Sequence, residues 1–313
     1  MSKCAIFLYK WQELFIEDLE LNEKDLKTIS NYHKVTDNFI FFIDKTVPDI
    51  ITMDINTKTI QLFLKFRKEN IIARTKKVDI SIDTKKNDIK VVRLFLNFID
   101  DTSKDDFNFH IKWNKITPKP QKKEKPHIIT EELNLFLGQL ENNIKNRRKE
   151  LDYVCSFAFK LALYGGLRAS EICDMTLKGF SAPYEDSGSK FIDVTIKGKG
   201  NTQFSNPLPY LYIKKELSYF ARNRNINDDI FLNTKGYKLS RQSLYQYFAK
   251  ISQEAGVQNT EIHKIRHTYA HSLVNLGVDL MEMQDLLRHS DPTTSRIYLK
   301  RNKQRMIGAV KGL

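Results

Sequence analysis

Cysteine is scarce, with only Cys4, Cys155 and Cys173 in 313 residues. An odd, scattered set excludes both a disulfide framework and the paired spacing of a zinc site. No apolar run approaches the roughly 20 residues needed to cross a bilayer. The opening MSKCAIFLYKWQELF is broken by Lys10, Gln12 and Glu13 and lacks a small-residue cleavage site, so it does not read as a secretory signal. Internal repeats and confined low-complexity segments are also missing. These absences predict a soluble, cytoplasmic protein with no membrane partner. What is present is enough to build cores: 41% apolar residues, with 20 Phe and 13 Tyr. Two lobes are expected at this length, taking about 100 to 200 residues per domain.

The net charge is +13. Residues 1–126 hold 24 Lys and Arg against 19 Asp and Glu, and residues 127–313 hold 27 against 19, so both halves are basic. Such a field favours encounter with a polyanion and gives salt-sensitive affinity through counterion release. Charge alone does not identify the partner, because a charge run is most often a wet surface.

Apolar residues at helical spacing, Ile60, Leu62, Phe63, Leu64 and Phe66, then Val91, Val92, Leu94, Phe95 and Phe98, predict a mainly helical first lobe. Residues 112–126 carry three prolines and six lysines against one acid, which predicts an extended basic linker. The expected division is therefore 1–111, 112–126 and 127–313. Thr130 is placed to cap the next helix, with Glu131 and Glu132 in its first turn. Residues 151–164 are apolar almost all round, as in a helix at a domain centre, and Gly165-Gly166 breaks them. Residues 191–197 alternate and a Gly-rich turn follows, predicting a β-hairpin with Lys199 at its tip. Helices are expected at about 210–223, 240–255, 263–276 and 279–288, with a short one opening at Asp291-Pro292.

Arg168, Lys199, His263, Arg266, His289 and Tyr298 are the residues whose chemistry stands out. Breaking a phosphodiester without a metal needs cations on the equatorial oxygens and a proton for the leaving oxygen. Arginine forks suit the first task, so Arg168 and Arg266 are candidates for a clamp. A three-residue step puts His263 and Arg266 on one helix face. Lys199 suits proton donation, and Tyr298, with a reference pKa of about 10, suits covalent attack once a base or cationic field helps it ionise. His263 is the candidate base, and His289 a candidate donor to a phosphate oxygen. Each residue alone has a plainer reading, as a surface arginine, a turn lysine or a packed tyrosine. His263, His267 and His271 also form a stripe at metal-ligand spacing, but no Cys or acid completes a zinc set, so neither metal nor cofactor is expected.

The combination YGGLRASEI, IKGKG and HKIRHTYAHSLVNLGVDLMEMQDLLRHSDPTTSRIY resembles the catalytic domain of the tyrosine recombinases, most of all the Xer type that resolves chromosome dimers. The resemblance covers roughly residues 127–313. It implies a mainly α fold with a small β-hairpin or sheet, arranged as a two-domain DNA clamp whose first domain is a helical core-binding domain. It implies that Arg168, Arg266 and His289 hold the scissile phosphate and that Lys199 is the general acid. His263 would assist proton transfer, and Tyr298 would attack to leave a 3′-phosphotyrosyl bond. Glu171 is implied to organise the site from behind. The implied partners are a palindromic double-stranded site and a homotetramer on two duplexes, with a paralogous recombinase or a DNA translocase as candidate additions.

Arg288 departs from the family, which usually has glycine there, and is expected to alter a turn or add a DNA contact. The segment FSAPYEDSGSK, residues 180–190, is longer than usual, which makes Lys197 a rival of Lys199. Three other readings fit the same residues: an integrase or transposase of a mobile element, a topoisomerase that keeps the clamp but drops strand exchange, and a non-catalytic DNA-binding protein on this fold.

Overall fold

In the computed structural model the described residues are 1–75, 79–103, 107, 109–119, 128–197, 203–258 and 260–288. The chain divides into two compact units, Met1–Lys122 and Lys123–Leu313.

The first unit is built from four long helices, α1 (Lys3–Leu21), α2 (Leu26–Thr46), α3 (Thr57–Thr75) and α4 (Ile82–Thr102), followed by a single turn, α5 (Trp113–Ile116). Short polar side chains start three of them. Ser2, Asp25 and Ser81 accept the backbone N–H of Ala5, Thr28 and Thr84, satisfying donors that a helix start leaves unpaired. Phenylalanine fills the interior, with Phe39, Phe42, Phe63 and Phe95 fully buried. Within the predicted stripes, Ile60, Phe63, Val91, Val92 and Phe95 point inward while Leu62 and Leu94 remain exposed. The α5 turn lies inside the stretch expected to be extended. Its Trp113 packs on the first core and sits 6.0 Å from the Arg93 guanidinium, a cation–π pairing that gives this part of the chain something to bury.

The second unit is organised around α7 (Glu150–Gly165), whose residues Val154 to Leu163 are all buried. It is flanked by α6 (Thr130–Asn146), α9 (Tyr210–Asn223), α10 (Arg241–Glu254) and α11 (Ile262–Leu276). Thr130 is the first residue of α6 and not its cap; Ile129 occupies the cap position without a side-chain bond. The apolar surface of α7 is interrupted by Ser156 and Lys160, which both donate to Glu216 Oε1 on α9 at 2.7 Å.

The sheet has three antiparallel strands in the order β1 (Tyr184–Asp186), β2 (Ser189–Lys197) and β3 (Gln203–Pro209). Ile192, Val194 and Ile196 face the core, as their alternation predicts. The sequence reading had a two-stranded hairpin here. The extra strand comes from the long 180–190 segment, where Ser187 and Gly188 take φ of 50° and 76° and turn β1 directly onto β2. The short helices α8 (Ala169–Cys173) and α12 (Leu280–Leu287) are the unit's remaining α-helices among the described residues.

Candidate active site

The site begins where the central helix stops. Gly166 closes α7 at φ 59° and ψ 30°, a left-handed conformation that glycine takes without a Cβ penalty. A side chain there would also run into the Tyr269 ring. This reversal buries Leu167 and delivers Arg168 to the start of α8. Three residues on, Glu171 folds back. Its Oε2 accepts the Arg168 backbone N–H at 2.8 Å, and its Oε1 accepts from Arg168 Nη1 at 2.6 Å.

Arg266 arrives on α11, 4% exposed. It donates through Nη1 to the carbonyl of Gly166 and through Nη2 to that of Leu287. Nη1 also lies 3.9 Å from Glu171 Oε2. Arg288 enters from the end of α12, with its side chain 1% exposed. Its Nη2 donates to Glu171 Oε2 at 2.9 Å and to the Gly166 carbonyl at 3.0 Å, while Nη1 donates to Leu286 O at 2.9 Å. Asn206 of β3 donates to that same Leu286 carbonyl at 2.7 Å, which fixes the base of the hairpin to the α12 turn.

Three guanidiniums therefore gather on one carboxylate, an excess of two positive charges among these four groups. Burial alone would push the Glu171 carboxyl up, but Arg288 and Arg168 hold it below the ordinary value and keep it ionised. Burial draws the Arg288 guanidinium below its ordinary value in spite of Glu171. The side chain of Arg168 is 37% exposed, so one cation of the cluster reaches solvent. A preorganised, partly desolvated cationic site of this kind suits an incoming phosphate oxygen.

The structure brings together Arg168 and Arg266, two of the residues singled out by sequence, through Glu171. His263 stands one turn before Arg266 on α11, but it is exposed while Arg266 is buried; its ring centroid lies 5.2 Å from that of His267. Their shared face therefore holds them at different depths. His267 is buried and His271 half-buried, so the three histidines do not present one equivalent stripe. Among the described residues no group of three His, Cys, Asp or Glu is placed to hold a metal. Lys199, His289 and Tyr298 lie outside the described residues. Lys197 ends β2 with its side chain exposed, paired across the ladder with Gln203.

Of the two roles expected for Arg288, an altered turn or a DNA contact, the structure shows the first, and it turns the side chain inward onto Glu171. The altered turn is real, because Arg288 itself takes φ 52° and ψ 48°. The preference for glycine at this position was the available signal for a left-handed backbone; nothing local shows where the side chain then goes.

The profile described as Phage integrase family matches residues 130–305. Tyrosine recombinase XerH of Helicobacter pylori is 29% identical over 244 residues, covering 72% of this chain and 64% of XerH. Tyrosine recombinase XerA of Thermococcus kodakarensis is 33% identical over 145 residues, covering 45% of this chain and 49% of XerA. The alignments thus span less than two thirds of these relatives. Among solved structures, the post-cleavage complex of XerH with a palindromic difH substrate superposes with a TM-score of 0.73 at 24% identity, covering 91% of this chain and 79% of that one. A lambda integrase dimer on a core site gives 0.65 at 17% identity, covering 94% and 96%. These superpositions show the fold: mainly helical, with a small antiparallel sheet.

Proposed function

Since this chain belongs to the phage integrase family, we propose that it is a site-specific tyrosine recombinase that cuts and rejoins double-stranded DNA without a metal or other cofactor. The observation that carries this reading is the convergence of Arg168, Arg266 and Arg288 on Glu171, which leaves a cationic site open at Arg168. Two of these arginines are the positions that the family motif assigns to the scissile phosphate.

In the proposed reaction the Tyr298 phenol oxygen attacks phosphorus and the bond to the 5′ oxygen breaks. His263 takes the phenol proton, and Lys199 gives a proton to the departing oxygen. The product is a 3′-phosphotyrosyl link and a free 5′-hydroxyl. Attack by the 5′-hydroxyl of a partner duplex reverses these steps and releases Tyr298, so bond energy is conserved and no ATP is consumed. Arg168, Arg266 and His289 hold the phosphate and offset its growing charge. The helical unit Met1–Lys122 is the core-binding half, and the second unit is the catalytic half. The working assembly is a homotetramer on two palindromic duplexes in the cytoplasm, with a paralogous recombinase or a DNA translocase as a further partner.

Dimer resolution of the Xer kind is the reading favoured by the XerH and XerA alignments. Integration or transposition by a mobile element uses the same chemistry and is the second reading, favoured by the likeness to the lambda integrase fold. The test is a suicide duplex of roughly 30 base pairs. Its sequence is recovered by binding selection from random duplexes, and it carries a nick that traps the first cleavage. A covalent protein–DNA adduct is expected from the native chain and not from Tyr298→Phe. Intact binding with no adduct from the native chain would instead mark a non-catalytic DNA-binding protein. Products from paired sites then separate strand exchange from simple relaxation.

A further inference from the structure

We propose that Arg288 is a positioning residue for the phosphate clamp: it bridges Glu171 and the Gly166 carbonyl, the two groups that also hold Arg168 and Arg266, and so keeps those two arginines in register. The inference rests on the recombinase reading and goes beyond it, because Arg288 stands where the family motif has glycine and is assigned no role there.

The geometry makes the case. Glu171 Oε2 is the acceptor that both Arg266 and Arg288 can reach, and Arg288 holds it at 2.9 Å while Arg266 stands at 3.9 Å. Both also share the Gly166 carbonyl. Arg266 is anchored to the backbone carbonyls of Gly166 and Leu287, a pose set by the fold. Arg288 also steadies the other half of the clamp, since its own carbonyl accepts from Arg168 Nη2 at 3.1 Å. The left-handed backbone at Arg288 is what turns its side chain inward. Its Nη1 bond to Leu286 O keeps it there.

The experiment compares the native chain with Arg288→Gln and Arg288→Lys on the selected nicked duplex. It measures DNA affinity, the single-turnover rate of adduct formation at saturating protein, and the melting temperature. Arg288→Gln, which removes the charge, is expected to bind DNA within about twofold of native and to form adduct at least tenfold more slowly. Arg288→Lys, whose ammonium can still occupy Glu171, is expected to recover most of that rate, although it cannot make all three of the arginine's bonds. A native-like rate in Arg288→Gln would overturn the proposal. So would a rate loss matched by lost affinity or lost folded protein, or one equal in both variants, since those patterns mark a purely structural role. No adduct from the native chain would instead sink the recombinase reading and this inference with it. Adduct from the native chain with unaltered variants sinks this inference alone.

Discussion

Glu171 is the smallest unit on which the site depends. It is 7% exposed in its side chain and is the only carboxylate among the described groups of the cluster bonded by Arg168 and Arg288. Removing one partner from a buried ionic group typically costs about 3 to 5 kcal/mol, because the others remain desolvated and uncompensated. Glu171→Gln keeps the shape and loses the charge, so at neutral pH it should lose about 3 kcal/mol of stability. Its pH dependence has a definite sign. The folded carboxyl titrates below its ordinary value of 4.5, so its contribution is complete above that value and is lost as pH falls through the folded pKa. Urea midpoints from about pH 7 down to about pH 3 should therefore show native and Glu171→Gln converging on the acid side. A gap that stays constant would mean that the carboxylate charge is not what binds the cluster.

At the level of elements, the α7–α9 seam is a second place where charge is buried. Glu216 is fully buried, Lys160 is 8% exposed, and Glu216 Oε2 has no hydrogen-bond partner among the described residues. Replacing Lys160 alone with Met removes the counter-charge of that carboxylate, leaving it the Ser156 hydroxyl, and is expected to destabilise the fold by about 3 kcal/mol. Replacing both, Lys160→Met with Glu216→Leu, should recover most of the loss, because well-packed apolar residues often match a buried pair. Chemical denaturation of these two variants and of Glu216→Leu alone decides it; additive losses would show that the pair is not coupled.

These same elements show what the sequence could disclose. The helix at 210–223 and the central helix are legible in the sequence, the second from an apolar run almost all round, although burial also takes in Glu216 and Lys160 and leaves Leu211 exposed. Arg168 and Arg266 were legible from residue types held at motif spacing. The strand β1 was not read, although Ser187-Gly188 is a turn pair between short runs, because its three residues are all exposed and leave no apolar alternation. The inward path of Arg288 was hidden for another reason: its partners Gly166 and Glu171 lie 122 and 117 residues earlier, so only the tertiary fold connects them.

For the whole molecule, the formal charge of +13 bears on how it would meet the proposed DNA substrate. Each phosphate neutralised releases condensed counterions, so the logarithm of affinity should fall linearly with the logarithm of salt. With about six to ten phosphate contacts, affinity for the selected duplex should drop by about a thousandfold or more between about 50 and 200 mM salt. A nearly flat titration would mean that the basic residues are mere solvation. One backbone oxygen carries a broader consequence. The Gly166 carbonyl terminates the core helix of the second unit and is gripped by guanidiniums from two later segments. Any repacking that slides that rod by a fraction of an ångström will drag both grips together, so lesions deep in its hydrocarbon surroundings should surface as faults in reactivity.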